Sequence, residues 1–310
     1  MGLLDVLRRL TGRTAAAAQP AAQPAQTASR EPQRDAPAAE PELSGSELAY
    51  RFFEYTTGRA CLEREGMSDV EQEVLQRLDR ILEDPGDVIR WIPRPPAILP
   101  RLLACLRDDD ASLRETCVLI RGDPYLATEV VRLANSALHQ RGTPVTELER
   151  AAARLGFAGL QRAVTSSLLR PLFDTLRDPL LVAALPRLWV HGQAKGAWCQ
   201  TLARQADVDA FDAYLSGLTH NVGWIGALKA LGRDGPGPGP AAGYSRPFVL
   251  ELARRSERMF ALGAEQWAIT AGLSRLGAVL RQSSLPEASD ALAQVLFVAD
   301  SRATREVAAG

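Results

Sequence analysis

From Ser44 onward the chain is punctuated by helix starts, and no stretch alternates apolar and polar residues with a period of two. That combination leaves little room for a sheet and favours an all-α fold. Ser44 with Glu47, Ser68 with Glu71, Ser112 with Glu115 and Thr146 with Glu149 each fit a capping box. In that motif a hydroxyl and a carboxylate satisfy each other's free backbone N–H groups at the helix start. Asp123-Pro124 is a further start, with an acceptor at the N-cap and proline at the first helical position. Apolar residues follow at helical spacing, as in Val70, Val74, Leu75, Leu78, Ile81 and Leu82. The pattern predicts helices over about 46–57, 69–83, 96–107, 113–121, 124–134, 147–155, 157–170, 180–185, 187–206, 209–220, 247–261, 264–281 and 286–300. Asp84-Pro85-Gly86 reads as a stop, Leu155-Gly156 as a break and the GPGPGP run Gly235–Pro240 as a loop. Gly217-Leu218-Thr219-His220-Asn221-Val222-Gly223 reads as a helix end that turns the chain at Gly223.

Residues before Ser44 have a different character. Residues 2–12 place Leu3, Leu4, Leu7 and Leu10 on one helical face, opposite Arg8 and Arg9. A helix this short is marginal alone, so it reads as either a frayed end or a docking segment. Residues 13–43 are rich in Ala, Pro and Gln, and Leu43 is their one large apolar side chain. Such a stretch cannot offset its ordering entropy by burial and is expected to be a disordered linker. Residues 44–92 form an accessory helical segment and 93–302 the main domain.

The 310 residues carry a net charge of −1, so no global field draws in nucleic acid or an anionic membrane. Cys61, Cys105, Cys117 and Cys199 have no zinc-site spacing and read as free, reduced thiols. No apolar run approaches the about 18–20 residues that span a bilayer, and Asp5 and Arg8-Arg9 break any signal-peptide pattern. A cytoplasmic protein without a transmembrane segment is expected.

Several patches, in a fixed order, carry a resemblance. They are Ile98-Leu99-Pro100, Asp123-Pro124 with Arg132-Leu133-Ala134-Asn135-Ser136-Ala137, Leu188-Trp189-Val190-His191, Gly217 to Gly223, and Phe297-Val298-Ala299-Asp300. From about Pro93 to Arg302 the chain resembles the HDOD family, bacterial signalling domains related to HD phosphohydrolases. The resemblance implies a helical bundle in two sub-bundles, with the HD-like half at about 180–302, and a regulatory role without enzymatic activity.

An HD-type site needs a His, a His-Asp pair and a further Asp around metal ions that activate water. By the resemblance, His191 and His220 stand at the first two positions, and Asn221 replaces the aspartate of the pair. An amide is a neutral and weaker ligand. Trp224 stands where the family has lysine, Gln266 stands where it often has histidine, and Lys195 sits one turn from His191. The only other histidine is His139. One reading is a metal-dependent phosphohydrolase with Asp300 completing an atypical site. The preferred reading has no catalytic residues, cofactor or metal. In it His191, His220 and Asn221 are vestigial, with Asn221 bridging the two rings. Asn135, Lys195 and Gln266 are then possible groove residues, with a helix cap as the plainer role for Asn135. The chain would be a non-enzymatic signal-transduction module acting on unidentified signalling proteins. A cyclic dinucleotide or other nucleotide bound in the old pocket is an alternative. Trp189, Trp198, Trp224 and Trp267 read as core. Arg254, Arg255 and Arg258 read as a solvated face paired with Glu251 and Glu257.

Overall fold

The computed structural model describes residues 42–96, 99–106, 113–136, 143–174, 179–232 and 243–309. The amphipathic stretch at 2–12, nearly all of the 13–43 linker, His139 and the Gly235–Pro240 loop lie outside the described residues. Among the described residues the fold is all-α apart from one pair of two-residue strands.

The accessory segment opens with α1 (Gly45–Thr57), whose N-cap Ser44 accepts from the Glu47 N–H. Strand β1 (Cys61–Leu62) follows, then α2 (Asp69–Glu83), where Ser68 and Glu71 form the full reciprocal capping box. Asp84 does more than stop α2. Its carboxylate caps α3 (Pro85–Trp91), with proline at the first turn, so the expected stop is also a start.

The first sub-bundle holds α4 (Leu99–Leu106), α5 (Leu113–Arg121), α6 (Pro124–Ala134) and α7 (Leu148–Leu169). Asp123 caps α6 as expected, accepting from the Tyr125 and Leu126 N–H groups. Thr146 does not cap α7: the N-cap is Glu147, without a side-chain bond. The break at Leu155-Gly156 is real, since Gly156 has φ 66° and kinks α7.

The second sub-bundle holds α8 (Pro179–Ala203), α9 (Ala210–Thr219), α10 (Val222–Gly232), strand β2 (Tyr244–Ser245), α11 (Arg246–Trp267), α12 (Ala271–Leu280) and α13 (Ala291–Ala308). Here the sequence reading needs three corrections. Pro186 lies inside α8 and does not divide it. Val182, whose carbonyl the proline leaves without its helical donor, lies on an exposed part of α8 and is 56% exposed. Helix α11 runs through Leu262-Gly263 and ends only at the left-handed Ala268. And Gly223 does not turn the chain. It lies in the first turn of α10, and a Cβ there would sit 2.0 Å from the Ser256 carbonyl. Glycine is needed at 223 for the close approach of α10 and α11.

The accessory segment packs on this second sub-bundle: α1 on α8, α11 and α13, α2 on α10 and α11, and β1 in parallel with β2. Phe52 and Phe53 on α1 are 4% and 0% exposed. Burying each stabilises by about 1.5–3 kcal/mol, so α1 is an integral wall of the bundle. Trp189, Trp198 and Trp224 are core residues as expected, and Trp267 is packed against the core.

Candidate functional site

Helices α8 and α9 cross where two glycines meet. A Cβ on Gly217 would lie 2.7 Å from the Gly196 backbone, so Gly217 can carry no side chain at the crossing, and a Cβ on Gly196 would lie 3.1 Å from Tyr214. That contact brings Lys195, on α8, level with the end of α9. His220 and Asn221 occupy the short link between α9 and α10, and α13 closes the far side with Asp300 and Thr304. His191, Lys195 and Asn221 are 0% exposed, His220 is 6% and Asp300 is 8%.

Lys195 is the centre. Its Nζ lies 2.8 Å from His220 Nδ1, 2.7 Å from Asn221 Oδ1 and 2.9 Å from Asp300 Oδ1. An ammonium has three N–H bonds and finds three acceptors. Burial lowers the Lys195 pKa, and the Asp300 carboxylate pulls it back up.

The rest of the network follows from that ion. With Oδ1 committed to Lys195, the Asn221 amide nitrogen donates to the Leu188 carbonyl at 2.8 Å and faces His191 Nδ1 at 3.1 Å. His191 Nδ1 is therefore an acceptor, and its Nε2–H donates to Thr304 Oγ1 at 3.0 Å. His220 Nδ1 accepts from Lys195, so its proton is on Nε2. Both imidazoles are held neutral. Burial pushes the His191 pKa well down, with Lys195 and His220 adding to the effect; burial and then Lys195 do the same at His220.

The sequence reading placed Asn221 between the two histidines. Asn221 instead meets only His191, and Lys195 joins it to His220 and Asp300. Asp300 is where the atypical-site reading put it, but its Oδ1 is bound to the ammonium. Sequence reasoning missed Thr304, although it lies one turn beyond Asp300 on the same face of α13. It also missed Phe52, whose ring centroid is 4.5 Å from that of His191 and 5.9 Å from Lys195 Nζ. No pattern in the sequence points α1 at this site.

The other candidates lie apart. Asn135 donates to the Val145 carbonyl at 2.7 Å and accepts from its N–H at 2.9 Å, pinning the segment after α6. Gln266 lines a separate hollow with Arg94, Pro96 and Trp267. On the basic face of α11, Arg254 and Arg255 pair with Glu251, and Arg255 also pairs with Asp79. Glu257 pairs with neither. It accepts the Leu285 N–H at 2.8 Å and is pushed up to about 8 by burial, against that hydrogen bond and with help from Asp300 and Glu287.

The HD-type metal site implied by the resemblance can be tested on these donors. A divalent ion needs lone pairs that converge. His220 Nδ1, Asn221 Oδ1 and Asp300 Oδ1 do converge, and the point of convergence is the Lys195 ammonium. His191 turns Nδ1 to Asn221 and bonds Thr304 through Nε2 at 3.0 Å, with Asp300 Oδ1 farther from Nε2 at 3.5 Å. Among the described residues no group of three or more His, Cys, Asp or Glu is placed to hold a metal ion. The arrangement does not fit a metal. Nor is any described helix long and apolar enough to cross a membrane.

Beside the network, a cavity of about 240 Å³ lies between α1, α11 and α13, with His220, Asp300, Glu257, Phe52 and Trp224 in its wall.

Comparison with known proteins agrees with this architecture. The model of the HDOD domain matches residues 92–234. An uncharacterized protein of Treponema pallidum (strain Nichols) is 26% identical over 155 residues, 49% of this chain and 29% of that relative's length. Among solved structures, an HDOD domain protein of unknown function from Geobacter sulfurreducens superposes with a TM-score of 0.52 at 21% identity, covering 73% of this chain and 78% of its own. A protein of Shewanella amazonensis SB2B, provisionally described as a metal-dependent phosphohydrolase, gives a TM-score of 0.52 at 17% identity, covering 75% and 82%. At these identities the likeness concerns the fold. Residues 92–234, just under half of the chain, thus match the HDOD domain, and the bundle shares its fold with the two solved structures.

Proposed function

We propose that this chain is a non-enzymatic regulatory module that works through protein–protein interaction, built on an HD-type frame whose metal position has been taken by its own lysine. The observation that carries the reading is the Lys195 ammonium, bonded to the three atoms that would otherwise face a cation. A divalent ion would have to displace a buried, hydrogen-bonded charge tethered to α8 and repel it at contact distance. A second observation points the same way. Phe52 lies against His191 and Lys195, so α1 closes the side of the network on which it packs.

The test is metal content and hydrolysis together. Full-length protein is incubated with manganese, iron and zinc, desalted, and assayed for bound metal and for phosphomonoesterase and phosphodiesterase activity. Far less than one metal per chain and no hydrolysis are expected. Lys195→Ala, which frees the three acceptors, is expected to bind zinc more tightly than the parent protein. Stoichiometric metal in the parent protein, lost on His220→Ala, would overturn the reading.

A further inference from the structure

The cavity beside the Lys195 network contains a group that the network leaves unused. His220 Nδ1 is bonded to Lys195, and Nε2 is buried with no hydrogen-bond partner among the described residues. A buried N–H donor without a partner is costly, because it has given up water and gained nothing. His220 forms part of the cavity wall, so the cavity is where an acceptor can come from. Asp300 lines the same wall. One of its oxygens is bonded to Lys195, and the other lies 3.8 Å from His220 Nδ1, beyond hydrogen-bond reach. The floor therefore offers one donor, His220 Nε2–H, and one acceptor, an Asp300 oxygen, on neighbouring side chains. Leu48, Phe52, Trp224, Leu250 and Phe297 make the apolar part of the wall, and Ser46, Arg254, Glu257, Ser284 and Glu287 the polar part.

Charge narrows the occupant. Lys195 and Asp300 neutralise each other at the floor. Glu257, in the side wall, keeps its proton through neutral pH. Arg254, at the rim, is already paired with Glu251. Glu287, also in the lining, is exposed and takes the Ser284 hydroxyl at 2.6 Å, so a charged ligand at the floor would lose its hydration with no unpaired counter-charge beside it. Size narrows it further, since about 240 Å³ is below the roughly 300–1,000 Å³ of pockets for drug-sized ligands.

We propose that this cavity is a binding site for a small uncharged aromatic molecule that presents a hydrogen-bond acceptor and a neighbouring donor on one edge, the chemistry shared by aromatic amides and free purine bases. The acceptor meets His220 Nε2–H, the donor meets Asp300, and the ring lies against Phe52, Trp224 and Phe297. This inference rests on Lys195 being the resident cation, because the Lys195–Asp300 pair makes the floor neutral. Since α1 supplies one wall, an occupant would touch the accessory segment and the HD-like half at once.

The groups facing Glu257 are Asp300, Glu287 and Arg254, with Lys195 behind Asp300. As pH rises through about 8, Glu257 ionises and puts a negative charge beside Asp300 and the ligand's acceptor. Binding should weaken there, and Glu257→Gln should remove that dependence while keeping an oxygen for the Leu285 N–H.

The experiment uses metal-free, full-length protein and ligand-observed NMR with calorimetry. Benzamide represents the amide source and adenine the purine source; benzoate and benzamidine are the anionic and cationic controls. Millimolar or tighter binding of benzamide or adenine is expected, about tenfold or more beyond both charged controls. Ala253→Phe, which fills the cavity from α11, should abolish it, and Leu250→Trp is the second filling variant should the first not fold. Binding of benzamide but not adenine, or the reverse, identifies the source and supports the site. No binding of either probe, equal binding of the charged controls, or binding that a folded filling variant leaves intact would overturn the proposal. Metal content is measured on the same samples. Stoichiometric metal would sink the proposed function, and failed binding in metal-free protein would sink this inference alone.

Discussion

Two buried polar knots hold this bundle, and they solve the same problem with opposite charges. At Lys195 a cation is enclosed by three acceptors from α8's neighbours. At Glu71 an anion, 2% exposed, is enclosed by donors. Its carboxylate accepts from the Ser68 N–H at 2.6 Å, the Ser245 N–H at 2.7 Å, the Ser245 hydroxyl at 3.1 Å and Arg64 at 2.8 Å. Burial works to raise the Glu71 pKa, but these donors and Arg64 win and hold it below the ordinary value. The Lys195 knot joins α8, α13 and the α9–α10 link, and Arg64, reaching in from outside, has no counterpart there. The Glu71 knot starts as a local helix cap and is then extended to β2. The comparison teaches that filled bonding positions offset burial without always outweighing it: they win at Glu71, whereas burial still leaves the Lys195 pKa lowered. Glu257 completes the point. With one N–H partner and two carboxylates nearby, it keeps its proton up to about 8.

The largest way to break this comparison is Lys195→Met. It leaves the Asp300 carboxylate buried and unpaired, with His220 Nδ1 and Asn221 Oδ1 bereft, and should cost about 3–5 kcal/mol of unfolding free energy in urea titration. Glu71→Gln comes next, at about 1–3 kcal/mol, because the amide can no longer accept from all four donors. That loss should depend on pH with a definite sign. A carboxylate whose folded pKa is depressed stabilises above its unfolded value, near 4.5, and loses that contribution as pH falls further. The gap between parent and variant should thus shrink on acidification from pH 6 to pH 3, and a constant gap would show that Glu71 acts through packing alone. Arg64→Ala should have the smallest effect, about 0–1 kcal/mol and weaker in high salt, since the Arg64 side chain is 48% exposed. An effect as large as that of Glu71→Gln would mean that the Glu71 knot depends on its outer partner, unlike the one at Lys195.

Much of the fold was legible because its causes are local. Capping pairs, helical spacing and Asp-Pro starts act within a few residues, and α2 was predicted at its observed bounds. Where the reading failed, the deciding interaction came from elsewhere in the chain. Gly223 looks like a turn until the Ser256 carbonyl is seen against it. The site was half legible. The residues His191, His220, Asn221, Lys195 and Asp300 could all be picked out, but their connection could not. Whether Lys195 points into the cluster or away from it depends on the Gly196–Gly217 crossing, which no spacing encodes. Phe52 was invisible for the same reason: its role belongs to the packing of α1 on α8.

The lysine at the centre also changes what the bundle depends on. A bound ion is recruited, exchanged and lost according to its supply, and a chelator can remove it. A cation on the polypeptide arrives with the chain itself, one per molecule, and stays for the lifetime of the fold. If the proposed function holds, the polar centre is set by translation, and its geometry would be the same in metal-starved and metal-rich surroundings.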